Sequence, residues 1–101
     1  MKKIMLICSA GMSTSLLVKR MQAEAEAGKL DVEIFAVSEA ESKNHFDEVS
    51  VVLLGPQVRY MLEKMKSVLE PKGVPVAVIQ NTAYGMMNGK AVLQQALELL
   101  K

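Results

Sequence analysis

Residues 4–15 read IMLICSAGMSTS, an apolar run that passes through small, uncharged residues into a helix-like segment beginning near Ser13. The apolar part predicts a strand that ends at Cys8, and the small residues predict a tight strand-to-helix turn. With Gly11 in that turn, successive backbone N–H groups can point into one concavity at the positive end of the following helix. The segment therefore predicts an anion-binding loop at the end of the first strand.

Cys8, the only cysteine of the chain, is predicted to lie at the rim of this loop. No Asp or Glu occurs before Glu24, so the helix N-terminal N–H groups are expected to favour the thiolate. The alternative is an inert thiol, because a lone cysteine at a strand end is usually a small buried core residue. The many small and hydroxyl-bearing neighbours favour a functional loop. The residues predicted to bind the anion are Ser9, Ala10, Gly11, Met12, Ser13, Thr14 and Ser15.

The composition predicts a single compact domain over residues 1–101, since 50% of the side chains are hydrophobic and no linker or repeat divides the chain. A net charge of +1, with lysines and glutamates interspersed, argues against nucleic acid as a partner. One cysteine cannot form an intramolecular disulfide, and no signal peptide or membrane span is recognisable. We therefore expect a cytoplasmic protein, a monomer, with no metal and no cofactor.

Short apolar runs alternate with amphipathic segments along the chain, which is typical of a parallel sheet covered by helices. Strands are predicted at residues 3–8, 32–37, 49–54 and 74–79. Helices are predicted at residues 13–27 and 56–70, and a last one from residue 88 or 89 onward. Residues 38–48 show no firm periodicity, and residues 80–89 are predicted to form a loop.

Two residues predict which strands lie at the edges of the sheet. Glu33 interrupts the apolar run of the second strand, and Pro75 cannot donate a ladder hydrogen bond in the fourth. The order 2-1-3-4 follows, in a doubly wound α/β fold with helices on both faces. Ligands of such folds bind where the strand order reverses, here between the first and third strands.

This reversal places the Cys8 loop beside the turn at residues 55–57, and the loop around Tyr84 is expected to face the same end. Gln57 and Tyr84 are therefore candidate supporting residues of the site. The alternatives stay open, because Gln57 can simply cap its turn and Tyr84 can simply pack against the fold.

Low-molecular-weight tyrosine phosphatases and arsenate reductases offer a mechanistic parallel, since they use a Cys, five residues, and then Arg with Ser or Thr. In this chain five residues follow Cys8 and then come Thr14 and Ser15, so the arginine that clamps the dianion is absent. The Asp-Pro pair that supplies the general acid is absent too. These departures favour a thiol that holds a phosphoryl group and passes it on, and a cysteine phosphatase or arsenate reductase remains the alternative.

The chain resembles the IIB (EIIB) components of the bacterial phosphoenolpyruvate-dependent sugar phosphotransferase system, in the lactose/cellobiose (chitobiose) family. The similarity rests on CSAGMSTS at residues 8–15, VVLLGPQ at 51–57 and AYG at 83–85. It implies that Cys8 accepts a phosphoryl group from a phosphohistidine of the IIA (EIIA) component. It also implies transfer to a cellobiose, lactose or chitobiose-class sugar held by the IIC (EIIC) permease, with the carrier peripheral to the membrane. The implied fold is the one argued above, similar to that of the low-molecular-weight tyrosine phosphatases.

Overall fold

The computed structural model describes residues 1–9 and 14–100. Their strands form one parallel sheet of order β2-β1-β3-β4, as the sequence predicts. The strands are β1 Lys2–Cys8, β2 Val32–Ser38, β3 Val51–Leu54 and β4 Val76–Val78. Both predicted edges are therefore confirmed, and β1 and β3 occupy the centre.

Five α-helices lie within the described residues: α1 Ser15–Ala27, α2 Glu39–Ser42, α3 Leu62–Leu69, α4 Asn81–Gly85 and α5 Gly89–Leu99. Short 3₁₀ segments cover Lys43–His45, Pro56–Met61 and Glu70–Lys72. None of the helices within residues 1–9 and 14–100 combines the length and apolar character needed to cross a membrane.

The central strand β1 supplies side chains to both faces of the sheet, because successive residues of a strand point to opposite sides. Ile4 and Leu6 pack with side chains of α1 and α5 in one buried cluster. Met5 and Ile7 pack with side chains of α3 and of the 3₁₀ segment before it in a second cluster. All four are 0% exposed, so helices cover both faces and the three-layer arrangement is confirmed.

The predicted third and fourth strands begin too early. Val49 and Val74 are buried, which is why they look like strand residues in the sequence, but they lie on the approaches to β3 and β4. Pro75 stands just before β4, and its carbonyl accepts a bond from the N–H of Val52. The predicted helix at 56–70 likewise begins as a 3₁₀ segment, with Val58 outside helical geometry, before α3 starts.

Two short helices form where the sequence predicts none: one in residues 38–48, which show no firm periodicity, and one in residues 80–89, where the prediction of a loop is wrong. In the first, the hydroxyl of Ser38 accepts a bond from the N–H of Glu41 and so caps α2. In the second, α4 forms directly after β4. Helices of one turn bury too few side chains to create an apolar period, so the sequence pattern does not reveal them.

Candidate functional site

The carboxyl ends of the strands converge beside the last residue of β1. Cys8 pairs in register with Ser38 of β2, and the N–H of Gly55 donates to the carbonyl of Ile7 at 2.9 Å. The turn after β3 is therefore fastened directly beside Cys8, at the reversal of strand order where the sequence predicts the site.

The thiol of Cys8 has a polar partner inside this edge. Its Sγ lies 3.1 Å from Oγ1 of Thr14, a hydrogen bond in which either atom can donate. Thr14 occupies the N-cap position of α1, yet its side chain makes no capping bond to the helix. A capping hydroxyl is ordinarily worth about 1 kcal/mol. This hydroxyl contacts the sulfur instead, so α1 is joined to the cysteine at its first turn.

Cys8 and Thr14 are both 0% exposed. The predicted place of Cys8 at the rim of the loop stays a prediction, because residues 10–13 lie outside the described residues. Cys8 ends a central strand, and by the alternation of side chains it shares with Leu6 the face of the sheet that α1 covers.

The predicted anion-binding loop is described only at its two ends. Ser9 is exposed and directly follows Cys8, and Ser15 is exposed as the first residue of α1. Ala10, Gly11, Met12 and Ser13 lie outside the described residues, so their part in anion binding stays a prediction.

Gln57 and Tyr84, which the sequence suggested as supporting residues, contact each other. Nε2 of Gln57 donates to the phenolic oxygen of Tyr84 at 2.8 Å, across the turn after β3 and helix α4. Tyr84 also packs against the core on the α1 and α5 side. A methyl group at Gly55 would collide with Oε1 of Gln57, so the glycine leaves room for the glutamine to fold back.

Arg20, an exposed residue of α1, makes a contact that the sequence does not predict. Its Nη1 donates to the carbonyls of Met87 at 3.0 Å and Met86 at 3.5 Å, directly after α4. No sequence signal identifies this contact, because it depends on how the chain turns after Tyr84. Met87 has a φ of 52°, a left-handed conformation that non-glycine residues seldom adopt.

The four-stranded parallel sheet, wound on both faces and carrying a cysteine at its point of reversal, defines a small α/β domain consistent with the tyrosine-phosphatase-like fold. A model of the family described as PTS system, Lactose/Cellobiose specific IIB subunit matches residues 3–95. The chain belongs to this family of sugar phosphotransferase system components.

Relatives of known assignment are similar over nearly the whole chain. The oligo-beta-mannoside-specific EIIB component of Bacillus subtilis (strain 168) is 40% identical, with 99% of this chain and 97% of the relative covered. The galactose-specific EIIB component of Lactococcus lactis subsp. cremoris (strain MG1363) is 49% identical, with 98% and 96% covered.

Two solved structures share the fold. The cellobiose-specific IIB component of Borrelia burgdorferi has a TM-score of 0.81 at 38% identity, covering 98% of this chain and 91% of that one. The lactose-specific IIB domain of Streptococcus pneumoniae has a TM-score of 0.82 at 22% identity, covering 99% and 98%. The second likeness concerns the fold alone.

Proposed function

We propose that this protein is a phosphoryl carrier in which Cys8 is the residue that is phosphorylated. The observation that carries the proposal is the hydrogen bond between Cys8 and Thr14 at the reversal of strand order. A buried hydroxyl beside the sulfur can donate to a thiolate, and hydrogen bonds to charged groups are the stronger ones. Membership of the IIB family supports a role in phosphoryl transfer.

The proposed reaction has two transfers. In the first, the thiolate Sγ of Cys8 attacks the phosphorus of a phosphohistidine on the IIA component, the S–P bond forms, the P–N bond breaks, and the imidazole retains the electron pair. In the second, a hydroxyl of the sugar bound to the IIC permease attacks the phosphorus, the O–P bond forms, the S–P bond breaks with the electron pair returning to the thiolate, and the proton of the hydroxyl passes to water. Phosphoryl transfer of this kind depends mainly on positioning and charge stabilisation.

The arginines of the chain support a carrier over a phosphatase. The chain has two, and Arg20 donates to backbone carbonyls after α4 while Arg59 is an exposed residue of the 3₁₀ segment. The loop itself contains none, so the bidentate clamp of the cysteine phosphatases has no counterpart there. Backbone amides of residues 9–15 are proposed to bind the phosphoryl group, and a weaker hold suits a group that must be released.

The partners and substrate follow from the family. We propose that the protein acts in the cytoplasm as a monomer, at the surface of its IIC permease, on a sugar of the cellobiose, lactose or chitobiose class. The relatives assigned to oligo-beta-mannoside, galactose and cellobiose support a sugar of this general kind. Neither nucleic acid nor a cofactor has a part in this proposal.

A phosphorylation assay tests the proposal. The protein is incubated with phosphorylated IIA component, and mass spectrometry is expected to find one phosphate adduct on Cys8. Cys8→Ser is expected to lack the adduct. His45→Gln is the matched control because His45 is the only imidazole of the chain, and it is expected to keep the adduct.

Two other outcomes would redirect the assignment. Hydrolysis of a small aryl phosphate by the purified protein, lost in Cys8→Ser, would indicate a cysteine phosphatase. Absence of any adduct, together with failure of Cys8 to react with an alkylating reagent, would indicate an inert core thiol. An inert core thiol would also be completely buried, as Cys8 is. The phosphate adduct therefore decides between a carrier and an inert thiol.

A further inference from the structure

The contact between Arg20 and the turn after α4 joins two parts of the chain that both border the candidate site. Arg20 lies on α1, whose N-cap Thr14 contacts the sulfur of Cys8. Its guanidinium bonds to the carbonyls of Met86 and Met87, immediately after the helix that carries Tyr84. A cation suits the carbonyl of Met86, the C-cap of α4, because carbonyls at a helix end lack intrahelical partners. The carbonyl of Met87 lies beyond the helix and also accepts a bond from the N–H of Gly89.

The turn that Arg20 holds is strained. Met87 adopts a φ of 52°, which places its backbone in the left-handed region that favours glycine. The chain closes this turn with bonds from the N–H of Met87 to the carbonyl of Tyr84 and from the N–H of Asn88 to the carbonyl of Ala83. Those two bonds lie within the turn itself, and the turn meets α1 in two ways: Gly89 packs against the backbone of α1, and Arg20 adds the side-chain hydrogen bonds.

A closed series of contacts results around the carboxyl edge of the sheet. Arg20 of α1 bonds to the carbonyl of Met87, and the backbone leads from Met87 back to Tyr84. The hydroxyl of Tyr84 in turn accepts a bond from Gln57. The N–H of Gly55, two residues before Gln57, returns the series to the carbonyl of Ile7 beside Cys8. Tyr84 is thus held from one side by Gln57 and from the other, through the backbone, by Arg20.

We propose that Arg20 is a positioning residue for phosphoryl transfer at Cys8, which acts by fixing Tyr84 over the carboxyl end of the sheet. The inference rests on the proposed function, because it assumes that Cys8 is phosphorylated. Loss of the guanidinium removes the hydrogen bonds from α1 to the carbonyls of Met86 and Met87, so the turn next to Tyr84 is held less firmly and Tyr84 keeps its bond to Gln57 only part of the time. The maximal rate of phosphorylation of Cys8 then falls, while the affinity for the donor protein changes little.

The test measures initial rates of phosphorylation of Cys8 over a range of phosphorylated IIA concentrations. Arg20→Gln is expected to lower the maximal rate about five- to tenfold, the effect of a hydrogen bond of ordinary strength, with half-saturation changed less than about twofold. Arg20→Lys is expected to recover part of the rate, since an ammonium can still donate to a carbonyl. Lys19→Gln, which removes a positive charge from the neighbouring exposed residue of α1, is the matched control and is expected to match the wild type.

A double variant identifies the path of the effect. In a Tyr84→Phe background, Arg20→Gln is expected to cost less than about twofold further, because residues that act through one contact are not additive. A ¹³C-tyrosine label in a Tyr60→Phe background reports Tyr84 alone, since the chain has two tyrosines. Its ring signal is expected to shift in Arg20→Gln in the same direction as in Gln57→Ala, and to stay unchanged in Lys19→Gln.

Equal rates for Arg20→Gln and Lys19→Gln, or losses that multiply in the double variant, would overturn the inference while leaving Cys8 as the carrier. A loss that disappears when all rates are measured well below each variant's unfolding midpoint would show a role in stability only and would overturn it too. If the wild type itself accepts no phosphate, the proposed function fails and the inference fails with it.

Discussion

The hydroxyl of Thr14 lies 3.1 Å from the sulfur of Cys8, and neither residue is exposed. The first turn of α1 therefore supplies a side chain to the cysteine where an N-cap residue ordinarily supplies one to its own helix. This placement makes the geometry of the thiol depend on where α1 begins.

Thr14→Val is expected to slow the phosphorylation of Cys8 by about tenfold or more, because hydrogen bonds to charged groups contribute about 1.5–3 kcal/mol. Initial rates with phosphorylated IIA measure the effect. Thr14→Ser keeps the hydroxyl and serves as the control, expected to stay within about threefold of the wild type. A Val variant as fast as the Ser variant would show that the hydroxyl does not assist the sulfur.

Gly55→Ala is expected to displace the side chain of Gln57, because the added methyl collides with Oε1 of Gln57 while the rest of the site has room. The bond between Gln57 and Tyr84 is then lost without removing either residue. The rate of phosphoryl transfer should fall to that of Gln57→Ala, whereas Gly85→Ala, where nothing lies within 4 Å of an added methyl, should leave the rate unchanged. Full activity of Gly55→Ala with an intact ring signal for Tyr84 would contradict this account.

Gly89→Ala is expected to destabilise the fold, because an added Cβ would lie 2.6 Å from the backbone carbon of Arg20 and 2.7 Å from its Cβ. Helices α1 and α5 would have to separate, and overpacking of this kind typically costs about 1–3 kcal/mol. The free energy of unfolding from urea titration measures the loss. Gly85→Ala is the control, and equal stability of the two variants would show that α5 can move away at no cost.

Acid stability should depend on the cluster of His45, Glu48 and Lys3. The hydrogen bond from His45, with the charge of Lys3, holds the pKa of Glu48 below its usual range. A carboxyl whose pKa is lower in the folded state stabilises the fold at a pH above its unfolded pKa, about 4.3, and this contribution is lost as the pH falls through the lowered value.

The midpoint of thermal unfolding, followed from about pH 6 to about pH 3, measures this contribution. Glu48→Gln is expected to flatten the fall in midpoint over the acid part of that range, relative to the wild type. Glu63→Gln removes an exposed carboxyl from α3 and is the control. Identical curves for wild type and Glu48→Gln would contradict the prediction.

The strand order could be predicted because one residue in each of two predicted strands indicates that the strand lies at an edge of the sheet. A charged side chain such as that of Glu33 is costly to bury in a central strand. Pro75 has no N–H to donate to a neighbouring strand, so it is disfavoured in a central strand too. The helix boundaries were less accessible: α2 and α4 are single turns, held by local capping and closure bonds that leave no apolar period.

The sequence predicts where in the fold the site lies, but it does not predict which side chains contact each other there. Small residues after an apolar strand indicate where a loop binds an anion, and the reversal of strand order indicates what lies beside it. The contact of Cys8 with Thr14, by contrast, depends on where the chain after β1 places the first turn of α1. The contact of Arg20 depends on the left-handed turn at Met87. Such a turn is usually predicted from a glycine, and this position has none.

The most direct test of the central claim follows one labelled phosphoryl group through the protein. Phosphorylated IIA transfers the label, the carrier is isolated, and membranes containing the IIC permease and its sugar are added. The account predicts that the label resides on Cys8, disappears at the rate at which sugar phosphate forms, and never enters Cys8→Ser. Label on His45, or sugar phosphate formed equally well with Cys8→Ser, would contradict it.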